Sequence, residues 1–587
     1  MVVDHLRPLI PYVKKYRKAY ILGGISVLLM NSIWALFPIA VGRGIDSLKH
    51  SDVSPALMHK IGVIAATLLV IAGTKAIFQF LTRWVVIGAS REIEFDLRND
   101  LFRHLEGLSY SFYQRTRTGD IMAKATNDLN AVRMLLGPGI MYTANTIVFT
   151  ALALGFMTHI SSRLTIYAFL PLPIVSVVIQ YFGRRIHERF ERIQAMFSDI
   201  SARAQENFSG VRVIRAYVQE EPEIAGFEKA NREYISRSLK LVRLMGMLWP
   251  TLETMLGLAI VLVLWLGGRE VLLGRIKIGD FVAFNTFMVQ LTWPVIALGW
   301  VINIFQRGTA SLGRIHELMQ EKPEITDAPS VKRLSPSEEL VGDIEFRNLN
   351  FSYNGISVLH DIDLHIPAGT SMAIVGPTGA GKTTLVNLIP RIYDASPGSV
   401  LIDGRPIRDF ALADLRRNIG FVPQETFLFS ETIRENIAFG VPNASDEEVR
   451  WAAEAANIAV DIEDFPDKYK TLVGERGITL SGGQKQRTAI ARALIRNPRI
   501  LILDDALSSV DTHTEDKILN HLRDVMHGRT TIFISHRVST VRNADRIAVL
   551  HGGRIVELGS HDELLGLNGY YADLYNKQLL EEELAEV

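Results

Sequence analysis

Six long apolar segments lie before about residue 310 and none lies after it: residues 20–42, 61–88, 134–158, 163–184, 248–272 and 280–305. A helix needs about 20 apolar residues to cross the hydrocarbon layer, where every backbone N–H and C=O must be bonded internally. The first half of the chain is therefore restricted to a bundle of membrane-spanning helices. Arg7, Lys14, Lys15, Arg17 and Lys18 precede the first run, which is too long for the apolar core of a cleavable signal. That basic cluster holds its end in the cytoplasm. The first span is expected to enter from there, with no domain ahead of it.

The spacing of the spans carries further information. Spans three and four are separated only by a turn around His159–Ser161, and spans five and six by the stretch from Gly267 to Gly279. The gaps after spans two and four are long and charged. In the first, Ile93, Leu97, Leu101 and Leu105 recur at helical spacing. A structureless connection of that length is improbable. The gaps therefore read as polar helical extensions of spans two to five into the cytoplasm, although a solvated coiled-coil stalk gives the same pattern. Each contains a break, at Arg115–Asp120 and at Tyr217–Pro222, suited to touching a cytosolic domain.

Residues 321–342 are rich in Pro, Ser, Lys and Glu and read as a linker between a membrane domain, 1–320, and a second domain, 343–587. From Ile344 onward β-rich runs alternate with helical stretches, the pattern of an α/β domain on a largely parallel sheet. The net charge of zero gives no support to a nucleic-acid partner. The absence of cysteine excludes disulfides, thiolate metal sites and cysteine nucleophiles.

Three motifs in the second domain carry chemistry. Gly376-Pro377-Thr378-Gly379-Ala380-Gly381-Lys382-Thr383 matches the phosphate-binding loop G-x-x-x-x-G-K-[ST]; it follows the apolar run Ser371–Val375 and precedes a helical stretch beginning at Thr384. Its glycines let backbone N–H groups turn toward phosphate oxygens, and the helix start adds partial positive charge. Lys382 is expected at the β- and γ-phosphates and Thr383 at magnesium. Ile500-Leu-Ile-Leu-Asp504 reads as a buried strand ending in a carboxylate, which would put Asp504 beside the magnesium–nucleotide complex. Leu480-Ser481-Gly482-Gly483-Gln484 opens a helix running through Arg487 to Leu494.

With that last motif the sequence resembles the ATP-binding cassette family, over essentially its whole length. Six spans followed by a cassette is similar to a type IV exporter half of the multidrug-resistance-like subfamily. The resemblance implies an all-α six-helix transmembrane domain followed by an α/β P-loop cassette, ATP and Mg2+ as cofactors, and ATP hydrolysis coupled to transport. It implies a multi-pass protein of the cell (inner) membrane with the cassette in the cytoplasm. It implies that Tyr353 stacks on adenine and that Gln424 approaches magnesium. Ser508, Ser509 and Asp511 would cross the dimer interface, and His536 would contact the γ-phosphate. Glu475-Arg476-Gly477 would meet the membrane helices. Leu480–Gln484 would serve the ATP held by a partner's phosphate loop.

One position departs from the family pattern. Where the family has glutamate after the strand aspartate, this chain has Asp505. The shorter side chain leaves the water-polarising carboxylate short by about one C–C bond, roughly 1–1.5 Å, and a misplacement of about 1 Å can cost around a hundredfold in rate. A heterodimer is expected, with a hydrolytically weak site on this chain's own loop. A homodimer tolerating aspartate and a regulatory nucleotide-sensing subunit are the alternatives. Expected substrates are small amphipathic compounds, drugs or lipids, handled among membrane lipids, with a dedicated lipid or peptide exporter as the alternative. Polar residues within or at the ends of spans (Asn31, Lys75, Glu253, Gln290, Asn303) and aromatics including Trp34, Phe287 and Trp293 are candidates for a substrate cavity. Glu253 would attract a cation, unless it pairs with Lys75 or lies near the cytoplasmic surface.

Overall fold

The computed structural model describes residues 6–48, 55–329, 331, 333–334, 340–474, 480–508, 518, 521–522, 525–535 and 537–585. The chain divides into two units: residues 1–104 with 119–320, and residues 105–118 with 321–587.

The first unit is helical. Its main helices are α1 (Arg17–Leu48), α2 (Pro55–Glu106), α3 (Ile140–Phe169), α4 (Leu172–Ser209), α5 (Glu220–Leu272) and α6 (Ile278–Gln320). Five continuous helical stretches among the described residues are long and apolar enough to cross a membrane. One of them, Thr118–Ser209, contains both the third and the fourth apolar runs. The backbone leaves helical geometry at Ser161 (φ −163°, ψ 109°), within the turn expected between those runs. At 1.5 Å per residue, α2 and α5 are each about 80 Å long, more than twice the hydrocarbon thickness. Their polar ends therefore must project from the membrane. Pro222 does not break α5, because it sits in the first turn, where its missing N–H costs no bond.

The interior of the first unit joins α1, α3, α5 and α6 around Phe149, Met157, Leu164, Val263, Phe284 and Phe287. Outside the spans, α4 lies along α5, with Arg189 donating to the Lys240 carbonyl (2.8 Å), Arg203 paired to Glu223 (3.2 Å) and Phe197 against Tyr234. The residues joining them, from Gly210 to Gln219, leave Phe208, Val213, Tyr217 and Val218 largely exposed.

The second unit contains a four-stranded sheet, β2-β1-β4-β5, and a six-stranded sheet, β10-β9-β3-β8-β7-β6. The strands are β1 (Ile344–Tyr353), β2 (Ile356–Ile366), β3 (Ser371–Val375), β4 (Val400–Ile402), β5 (Arg405–Pro406), β6 (Ile419–Val422), β7 (Ile500–Asp504), β8 (Thr530–Ile534), β9 (Arg546–His551) and β10 (Arg554–Gly559). In the larger sheet β9, β3, β8, β7 and β6 are parallel, and β10 is antiparallel to β9. Successive side chains face opposite sides of a strand. Met372 and Ile374 of β3, with Ile500 and Ile502 of β7, therefore enter one core, and Ala373, Val375, Leu501 and Leu503 enter the other. Burial on both faces explains why these strands read as unbroken apolar runs.

Asp128 fastens the segment ahead of α3 to α6. Its buried carboxylate accepts from Ser311 Oγ (2.8 Å) and Arg314 Nε (2.9 Å). Burial opposes its ionisation, but the bonds from Arg314 and Ser311 hold its carboxyl below the usual carboxylate range. A depressed value contributes stability above the ordinary carboxylate pKa and loses it as pH falls. Asp128→Asn is expected to cost about 1–3 kcal/mol at neutral pH, read as a lowered thermal midpoint in detergent. The gap to the wild type is expected to close below about pH 4.

Candidate functional site

The parallel register of three strands assembles the site. Ile374 on β3 and Asp504 on β7 both pair with Ile534 on β8, so all three strands end at one level. Ligands of open α/β sheets bind outside such carboxyl ends. The loop Gly376–Gly381 follows β3 there and leads into α7 (Lys382–Leu388). Gly376 has φ +150°, and a Cβ on it would lie 2.0 Å from the Leu550 carbonyl oxygen. No other residue fits that position without moving β9. Pro377, Thr378 and Gly379 are exposed, whereas Ala380 and Thr384 are buried.

Lys382 is only 6% exposed, and its ammonium donates to the carbonyls of Gly376 (2.8 Å) and Pro377 (3.0 Å). Burial pushes this ammonium below its ordinary value, and Asp505 and Asp504 pull it back. Asp504 is 1% exposed. One of its oxygens accepts from the Thr383 hydroxyl (3.2 Å), and the other, Oδ2, has no partner. Burial pushes the Asp504 carboxyl up, against the Thr383 bond. A buried cation resting on carbonyls and a buried carboxylate with an open oxygen are the groups an anion with a counter-cation would satisfy. The hydroxyl of Thr383 and the free oxygen of Asp504 are hard donors that fit magnesium. No group of three or more His, Cys, Asp or Glu able to hold a metal exists among the described residues. Such an ion would therefore be shared with phosphate oxygens and water.

Asp505 takes a left-handed conformation (φ 49°). Its N–H donates to the Ile534 carbonyl (3.0 Å), and its own carbonyl accepts from the hydroxyl of Ser508 (3.0 Å). Gln486 is buried, and its amide donates to that Ser508 hydroxyl (3.0 Å). Gln486 thus ties the turn carrying Asp505 to the helix α8 (Gly482–Leu494). Sequence reasoning passed over it; its place two residues beyond Gln484 was the available signal.

Leu480 is buried, and Ser481 is the exposed N-cap of α8. Its hydroxyl accepts from Gln484 N (3.2 Å), and its own N–H donates to Gln484 Oε1 (3.0 Å). Asp461 anchors this end of the helix by accepting from Gln484 (3.0 Å) and Arg487 (2.7 Å). Gly482 is exposed and Gly483 half-buried, so the helix start is presented outward with its partial positive charge. Gln424 is exposed two residues beyond β6. Tyr353 donates to Thr384 Oγ1 (3.4 Å), and its ring meets Tyr393 edge-on at 5.0 Å. Tyr393 in turn meets Tyr110, from the helix Tyr110–Arg115 of the same unit. Ser509, Asp511, His536 and the segment Glu475–Gly477 lie outside the described residues.

The cavity candidates separate. Trp34 and Trp293 line a cavity of about 380 Å³ in the first unit. Phe287 does not: it is fully buried and stacked on Phe156 (5.7 Å). Glu253 is exposed on α5 and does not line it either. Helical periodicity places a residue on a face without saying which neighbour covers that face.

Removing the hydroxyl that bridges loop and strand, by Thr383→Ala, is expected to weaken magnesium-dependent nucleotide binding by about tenfold. Binding without magnesium is expected to stay within about twofold, checked by calorimetric titration with and without the ion.

The ABC transporter transmembrane region family matches residues 20–295, and the ABC transporter family matches residues 359–508. A multidrug resistance-like ATP-binding protein of Escherichia coli is 36% identical over 96% of this chain and 95% of its own length. An ATP-dependent lipid A-core flippase of Desulfotalea psychrophila is 37% identical over 94% of this chain and 97% of its own. The structure of a bacterial Atm1-family ABC exporter with ATP bound aligns with a TM-score of 0.79 at 30% identity, covering 96% of this chain and 99% of that one. The chain therefore belongs to the ABC exporters, as a half-transporter whose cytoplasmic cassette hydrolyses ATP to drive transport by its membrane helices.

Proposed function

We propose that this chain exports amphipathic compounds, drugs or lipids, as one half of a heterodimer whose ATP site on its own phosphate loop is hydrolytically weak. The observation that carries this reading is Asp505. It follows the buried Asp504 at the level of the phosphate loop, on a backbone held by Ile534, Ser508 and Gln486. A turn held at both ends cannot swing forward to recover the missing methylene.

In this reading Tyr353 holds adenine, and the Gly376–Thr384 loop with Lys382 binds the phosphates. Thr383, Asp504 and Gln424 hold magnesium, which when bound neutralises charge on the transferring phosphoryl group. Asp505 polarises water poorly, and His536 steadies the terminal phosphate. Ser481 and the N-terminus of α8 serve the nucleotide on the partner's loop, alongside Ser508, Ser509 and Asp511. ATP drives closure only through its better binding to the closed dimer. The exposed apolar tip at Val213, Tyr217 and Val218 supports a second subunit, since such a surface is otherwise left in water. The names of the relatives support both substrate types, multidrug in one and lipid in another.

Asp505→Glu is expected to raise ATP turnover by about ten- to a hundredfold with nucleotide affinity unchanged. Steady-state hydrolysis by the chain expressed alone and with a glutamate-bearing partner checks it. Exporter-like turnover by the single unmodified chain, or no gain from the added methylene, would sink the heterodimer reading.

A further inference from the structure

The cavity beside Trp34 has a charge that the Glu253 expectation did not anticipate. Four polar residues of α2 line it: Lys75, Gln79, Thr82 and Arg83. At 100° per residue these positions fall on one stripe of the helix about 100° wide, and the axial distance from Lys75 to Arg83 is about 12 Å. The Lys75 ammonium lies 4.7 Å over the Trp34 ring, so it points into the bundle and does not reach back to the membrane surface. No Asp or Glu lines the cavity, and neither Lys75 nor Arg83 forms an ion pair among the described residues. Gln290 lines it too, with a buried carboxamide oxygen that has no partner.

Lys75 is half-buried with only the Trp34 ring against its charge, and Arg83 is exposed at the cavity's lining; cations carried within a span are costly unless something neutralises them. In surroundings of low dielectric an anion is held far more strongly than in water. The open carbonyl oxygen of Gln290 calls for a hydroxyl or amide donor on the same molecule. About 380 Å³ accommodates a compact polar head but not a long acyl chain. We infer that this cavity receives the acidic head group of an anionic amphiphile, its charge between Lys75 and Arg83 and a hydroxyl or amide of the head on Gln290. This deepens the export reading and rests on it.

The test uses the full-length chain in the dimer it forms. In detergent it is titrated with fluorescently labelled phosphatidylglycerol, a labelled fatty acid, labelled phosphatidylcholine and the cation rhodamine 6G. Both anions, or one of them, are expected to bind about tenfold tighter than the cation. Preference for phosphatidylglycerol assigns the head group to a membrane lipid, and preference for the fatty acid assigns it to a free amphiphile. Lys75→Glu combined with Arg83→Glu is expected to reverse the order in favour of the cation, a gain that a misfolded protein cannot produce. Equal binding of cation and anion, or an unchanged order in the double variant, overturns the site. The same probes are then followed in proteoliposomes with ATP. Charge-selective binding without ATP-driven movement upholds the site and removes its role in export. Movement indifferent to charge upholds export and removes the site.

Discussion

Everything in the cassette depends on two opposite charges kept out of water at the carboxyl ends of a sheet's central strands. Lys382 and Asp504 are each almost fully buried, and they sit at the same level because β3, β8 and β7 run parallel in a common register. Neither charge is fully satisfied by the protein. The ammonium rests on loop carbonyls, and one carboxylate oxygen has no partner. An unsatisfied buried polar group is expensive, and a ligand that completes it recovers that cost as binding. The site is therefore built for a phosphate anion carrying its own cation.

Within the second unit, direct packing joins the nucleotide site to the excursion at 105–118. Tyr353 touches Tyr393, which touches Tyr110, a residue from the excursion between the membrane helices that clusters with the cassette. Residues of the same unit reinforce that excursion: Ser109 accepts the N–H groups of Glu324 and Ile325, at 2.9 and 3.1 Å. The other excursion, at Val213–Val218, keeps its apolar side chains exposed. One tip is thus packed within its own unit, and the other presents its apolar side chains outward.

The legible parts of the molecule were those whose chemistry is local. The phosphate loop needs consecutive residues with particular backbone freedom, so it is written in consecutive letters; the same holds for the strand ending at Asp504 and for the Ser481 cap. Continuous apolar runs identified both the spans and the doubly buried strands. The break expected at Arg115–Asp120 is real at residues 116–117, but a second break at 107–109 had no strong signal. Gln486 and Tyr393 went unnoticed, because each matters through a partner distant in sequence. Gln486 meets Ser508, and Tyr393 meets both Tyr353 and Tyr110.

Taken alone, the sequence determined that six apolar runs enter a membrane, that a phosphate loop with its strand carboxylate follows, and that Asp505 stands where a glutamate is usual. Hydrophobic length and loop chemistry depend on neighbours along the chain, so no fold is needed to read them. Only the tertiary structure decided which side chains share a space. It sent Phe287 into the helix core and left Glu253 on the outside of α5. It gathered Lys75 and Arg83 around one cavity, and brought Asp504 level with Lys382 across an intervening strand. Burial and charge pairing are set by contacts between distant segments, and those exist only once the helices and strands have packed.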